Sequence, residues 1–143
     1  MTTNDTARLG HLFAEIINGR DLSRFAEIVA PDYVNHNPYA APGLDGVIDV
    51  FGAILAGVPD LVVTAEDVFV SEDGSRAVGR YRYEGTHTGN FMGNPETGSA
   101  FTMRSIDIWR VEDGKFVEHW DEINTLDIFT QVGAVEMKQA SAA

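Results

Sequence analysis

Two aspartates and a histidine stand where they can act together: Asp107 lies in the run Phe101 to Val111, and His119 and Asp121 lie in the next run, Phe116 to Ile123. Both runs alternate in polarity and are rich in β-branched or aromatic residues, so each reads as a strand, with Glu112-Asp113-Gly114-Lys115 as the hairpin turn between them. Which side chains meet depends on register, because a slip of one residue moves every one of them to the other face. A two-residue turn at Asp113-Gly114 would set Asp107 opposite Trp120, whereas a three-residue loop with Gly114 left-handed would set it opposite His119. The three-residue loop is the expectation here. It gathers Phe101, Met103, Ser105, Asp107 and Trp109 with Val117, His119, Asp121 and Ile123 on one face.

On an exposed face these ionisable groups would simply be solvated, but then their apolar companions would be exposed as well. A mixed pocket accounts for both sets. Two buried carboxylates beside an imidazole should have coupled, displaced titrations, as groups that move protons do. The opposite face would carry Ile106, Ile108, Phe116 and Trp120. Such an apolar outer surface calls for a cover, most simply a second copy packed sheet to sheet in a homodimer.

The elements that must position these groups follow from the rest of the chain. Leu9, Leu12, Phe13, Ile16 and Ile17 recur at helical spacing between Asn4 and Asn18, with Asn4 or Asp5 to cap the start and Gly19 to end it. A second helix is expected from Asp21, carrying Leu22, Phe25, Ile28 and Val29 up to Pro31, and a third over Leu44 to Leu55. Between them Tyr33-Val34-Asn35-His36-Asn37-Pro38 is polar and extended. Leu61 to Val70 and Arg76 to His87 read as two further strands joined by Glu72-Asp73-Gly74-Ser75, and Thr88 to Ser99 as a long loop. Residues 124–133 return to a helical pattern, and the tail 134–143 should fray. Three helices followed by an antiparallel meander make an α+β fold, one domain over 1–143, with helices covering a curved sheet that forms a cup.

Bulk composition narrows the partners. Among 143 residues, 22 acidic groups against 10 basic ones give a formal charge of -12, which repels nucleic acid and anionic membrane surfaces. With no cysteine there are no disulfides, thiolate metal sites or cysteine nucleophile, and a reducing cytoplasm is the expected setting. No stretch of about 18 apolar residues suggests a membrane span. His-x-x-x-His spacing and Gly-rich phosphate loops are both missing, so neither a metal nor an organic cofactor is expected.

Tyr33-Val34-Asn35-His36-Asn37-Pro38, Gly85-Thr86-His87-Thr88-Gly89 with Phe91-Met92-Gly93, Ile106-Asp107-Ile108, and Asp113-Gly114-Lys115 leading into Val117-Glu118-His119-Trp120-Asp121 resemble the SnoaL-like polyketide cyclases. That family belongs to the nuclear transport factor two-like superfamily. The resemblance implies a cone-shaped α+β barrel, three N-terminal helices on a curved antiparallel or mixed sheet with a short C-terminal helix, enclosing a pocket for a small apolar or polyketide-like molecule. It also implies that Asp121 is the base removing a proton next to a carbonyl, and that Asn35 matches an asparagine of the cyclase site. The cyclases' histidine on the neighbouring strand is Asp107 here. Either Asp107 stays protonated beside Asp121 and donates, or His119 supplies the donor.

Asn35 or His36 would then orient the substrate carbonyl. Tyr33, Phe51, Met92, Met103, Ser105 and Trp109 are expected in the pocket wall, with His87 at its mouth and His11 solvated. Tyr81 and Tyr83 share one face of their strand, and Arg80 and Arg82 the other. Inward tyrosines would line the pocket; inward arginines would suggest an epoxide hydrolase, although Ser105 breaks the Arg-x-Asp pattern of those enzymes. The expected activity is a cofactor-independent aldol cyclisation of a polycyclic or aromatic ketone. A cofactor-free hydroxylase of the same family and a non-catalytic ligand-binding domain are the alternatives.

Overall fold

The computed structural model describes residues 2–139. Helix α1 (Thr3–Gly19) starts one residue before the expected Asn4, because Thr2, not Asn4 or Asp5, is its cap. The Thr2 side chain accepts from the Asp5 backbone and Asp5 bonds back, so Asp5 fills the third helical position of a capping box. The helix expected from Asp21 is a short 3₁₀ helix, Leu22–Glu27. Strand β1 (Val29–Asn35) takes up the residues that follow, Pro31 included. Proline is tolerated there because β1 is an edge strand, paired in parallel to one neighbour. Helix α2 spans Gly43–Gly57.

Strands β2 (Val62–Val70), β3 (Arg76–Thr86), β4 (Ala100–Glu112) and β5 (Lys115–Ile123) form the antiparallel meander, and α3 (Thr125–Gln131) closes the fold. The sheet order is β1-β5-β4-β3-β2, so the sheet is mixed and has five strands, one more than the meander alone. A cluster that includes Phe13, Phe25, Phe51, Tyr81, Phe101 and Trp109 fills the space between helices and sheet. Of the tail, Ala134 and Val135 donate to Phe129 O at 2.8 and 3.1 Å, and 134–139 are exposed. Positions 140–143 lie outside the described residues.

The β4–β5 register differs from both sequence alternatives. Asp113 and Gly114 both have positive φ and form a two-residue turn, with Glu112 opposite Lys115 and Val111 opposite Phe116. Val117 is then an extra residue, a β-bulge, and beyond it Arg110 faces Glu118, Trp109 faces His119 and Asp107 faces Asp121. The expected three-residue loop is therefore absent, and Asp107 is not opposite His119. The expected common face for Asp107, His119 and Asp121 survives, because the pairing is displaced by an even number of residues. Phe116, expected on the outer face, is instead fully buried and stacked on Trp109 at 4.3 Å, since the bulge reverses the alternation at that point.

On β3 the tyrosines face inward and the arginines outward. Tyr81 donates its hydroxyl to Gly10 O, while Arg80 and Arg82 pair with Asp67, Glu66 and Glu84. Gly79 makes room for this: a Cβ there would stand 2.4 Å from the Tyr81 ring.

Candidate active site

A cavity of about 320 Å³ lies between the concave face of the sheet and α1, α2 and α3. Most of its wall is apolar, with Phe13, Val47, Phe51, Ile54, Phe91 and Phe129 among the lining residues. At one side Asn35, Asn37, Ser105, Asp107, His119 and Asp121 form a polar wall.

Backbone donors fix the order of hydrogen bonds along that wall. The Asn37 N–H donates to Asn35 Oδ1 at 3.0 Å, so that oxygen is an acceptor, and His119 Nδ1, 2.9 Å from it, must carry a hydrogen. His119 Nε2 lies 2.7 Å from Asp107 Oδ1, a contact that holds one proton. Ser105 donates to the other Asp107 oxygen at 2.6 Å and receives the Tyr83 hydroxyl at 3.2 Å. The pair is buried, with 8% of the His119 side chain and 3% of the Asp107 side chain exposed. His119 is stacked between aromatic rings, 5.4 Å from Trp109 and 5.9 Å from Tyr33.

Asp121 stands apart from this chain. Its Oδ2 is 3.8 Å from His119 Nε2, and both its oxygens accept from Asn37 Nδ2, at 3.1 and 2.9 Å. Burial pushes its carboxyl above the ordinary carboxylate range, opposed by the Asn37 amide and then by His119, while Asp107 and Glu122 add to the rise. Burial also raises the Tyr33 and Tyr83 hydroxyls, which therefore stay protonated. Asp107, His119 and Asp121 offer donor atoms within 4.8 Å of one another. The direct 2.7 Å contact between Nε2 and Oδ1 nevertheless suits a proton better than an ion, whose ligands would stand roughly 3.3 Å apart around a tetrahedral centre.

Of the residues expected in the site, Tyr33, Asn35, Phe51, Met92, Met103, Ser105, Asp107, His119 and Asp121 line the cavity. Three do not. His36 lies on the outer side, bonded to Glu118 at 2.8 Å and stacked on Trp120, because the extended segment turns alternate residues inward. His87 is buried beneath the long loop, with Nδ1 on Thr97 Oγ1 at 2.9 Å and Nε2 without a partner among the described residues, rather than at the mouth. Trp109 is fully buried behind His119 and donates to the Tyr33 hydroxyl at 3.1 Å, a support for the wall rather than part of it. Asn37 was not among the expected site residues. The signal was its spacing, since Tyr33, Asn35 and Asn37 are alternate residues of one extended run.

Residues 7–132 match the SnoaL-like polyketide cyclase family. TsrD of Streptomyces laurentii has the same fold with a TM-score of 0.84 and 30% identity, over 94% of this chain and 99% of that one. AclR of Streptomyces galilaeus, a proposed hydroxylase, superposes with a TM-score of 0.82 and 26% identity over 94% of this chain and 100% of its own. The aklanonic acid methyl ester cyclase DnrD of Streptomyces peucetius is 32% identical over 68 residues, 48% of this chain and 47% of the relative. The match thus spans about half the length of that curated relative. With the family match covering nearly all of the fold and the cavity set within the same helices and sheet, this chain belongs to the SnoaL-like polyketide cyclase family.

Proposed function

We propose that this chain is a cofactor-independent cyclase that closes a ring in a polyketide-like aromatic ketone by an intramolecular aldol reaction. The observation that carries this reading is a carboxylate, Asp121, with its proton affinity raised by burial, placed 3.8 Å from a buried pair that already holds a proton. A base and an acid thus stand side by side on the wall of an apolar cavity. Asp121 takes a proton from the carbon next to a carbonyl, and the electron pair left behind forms the enolate. That carbon attacks a second carbonyl of the same molecule, making the new C–C bond and an alkoxide, which takes the proton of the His119–Asp107 pair. Proton return from Asp121 to that pair restores the site, and product and substrate are isomers. Asn35 Nδ2, which bonds no protein group among the described residues, is placed to hold the substrate carbonyl.

The cyclase activity in the name of DnrD supports this chemistry. Asp121→Asn tests it with aklanonic acid methyl ester as probe: turnover should fall by about a thousandfold or more while binding is kept. Unchanged turnover rejects Asp121 as base. Hydroxylation is the second reading, favoured by the likeness to AclR. Turnover that stops when dioxygen is removed would select it. Tight binding with no turnover under any condition would leave a ligand-binding domain. The exposed Ile106 and Ile108 beside Trp120 are the surface we assign to a homodimer, to be checked by light scattering.

A further inference from the structure

We propose that Asn37 is a positioning residue that keeps Asp121 ionised and oriented for proton abstraction, in opposition to Asn35, which keeps a hydrogen on His119 Nδ1. This rests on the reading of Asp121 as the base. The two asparagines occupy successive turns at the end of β1 and are built alike. Asn35 Oδ1 accepts the backbone N–H of Asn37 at 3.0 Å, and Asn37 Oδ1 accepts that of Tyr39 at 2.7 Å. Each backbone donor stops the amide from turning over. What each presents to the wall is opposite in sign.

Asn35 extends its oxygen to His119 Nδ1, which favours a hydrogen on that nitrogen. Asn37 extends its N–H group to both oxygens of Asp121, which favours the carboxylate. Without such a device the site would blur its roles, because Asp121 is directly opposite the buried Asp107. The other charged groups around Asp121 are His119 and Asp107, which face it across the wall, and its chain neighbour Glu122. Among the influences that lower its proton affinity, the Asn37 amide is the largest. A purely structural Asn37 would shape the turn through Tyr39 and have no effect on Asp121.

Titration of the Asp121 carboxyl by carbon NMR in the ligand-free protein separates these roles, with the signal assigned by its loss in Asp121→Asn. In Asn37→Leu, which removes the donor, the midpoint should rise by about one pH unit. Asn37→Asp retains an oxygen for the Tyr39 N–H and replaces only the donor, and it should raise the upper midpoint of the resulting pair further. A midpoint unmoved in whichever of these variants folds overturns the proposal. The titration needs no substrate, so its outcome is independent of the base assignment. A risen midpoint together with turnover insensitive to Asp121→Asn would uphold Asn37 as the group that sets Asp121 and reject Asp121 as the base.

Discussion

The two faces of strands β4 and β5 reverse the usual distribution of polarity. On the concave face Ser105, Asp107 and His119 are buried, whereas on the convex face Ile106 and Ile108 are 51% and 40% exposed. Ionisable groups that face inward need partners, and each has one: Ser105, His119 and Asp107 form one hydrogen-bonded run, and Asp121 has Asn37. The convex side has ion pairs at its margins, such as Arg110 with Glu118, and an apolar strip between them. The concave face has therefore been arranged at a cost to stability, and the convex face at a cost to solubility. Under the proposed function each cost has a use, a reaction on one side and a subunit contact on the other.

Substitutions can break this contrast, and the largest effect should come from the concave side. Asp107→Ala leaves His119 Nε2 buried without its 2.7 Å partner, so unfolding in urea should show a loss of about 3 kcal/mol or more. A loss under about 1 kcal/mol would mean that the pair is held less tightly than its 2.7 Å contact implies. Asp121→Asn should act in the other direction. The folded-state affinity of Asp121 for its proton is raised above the unfolded value, so the folded state is favoured at low pH and loses that advantage as pH climbs through the raised value. The asparagine variant should accordingly be more stable than the parent at neutral pH, and the difference should vanish below the ordinary carboxylate range. Urea midpoints at pH 7 and pH 3 give the comparison, and a variant less stable at pH 7 would contradict it.

Effects on the convex side should be smaller in unfolding and larger in assembly. Ile106→Lys should leave the urea midpoint within about 0.5 kcal/mol of the parent. If the strip is a subunit contact, the same variant should halve the mass seen by light scattering. Smallest of all, Arg80→Ala removes an exposed pairing with Asp67 and Glu66 and should change neither measurement.

Much of this contrast is legible in the sequence, because period-two alternation settles which residues share a face even where pairing is misjudged. Asp107, His119 and Asp121 come together for that reason. What alternation cannot reveal is a backbone irregularity. Phe116 is misplaced by a reading that assumes an unbroken strand, since the bulge at Val117 leaves no composition signal. Strand β1 escapes notice for a different reason: it pairs in parallel with β5, over 80 residues away, and its Pro31 looks like a terminator. His36 and Asn37 are exchanged in role because a histidine attracts attention by its chemistry, while the inward direction belongs to the asparagine. The hydrogen on His119 Nδ1 is likewise hidden, as it follows from an Asn37 backbone hydrogen that only three-dimensional placement puts beside Asn35.

The bulge bears on how this wall can change length. Val117 has no partner across the hairpin, so deleting it would join Phe116 to Glu118 as ordinary neighbours and leave the hairpin regular, with both ends still turned the way they are now. Removing any one residue from His119 to Asp121 instead would remove or turn outward His119, Asp121 or both, and the cup would lose its acid or its base. Shortening by one residue is thus survivable only at the bulge and its immediate neighbours on this strand.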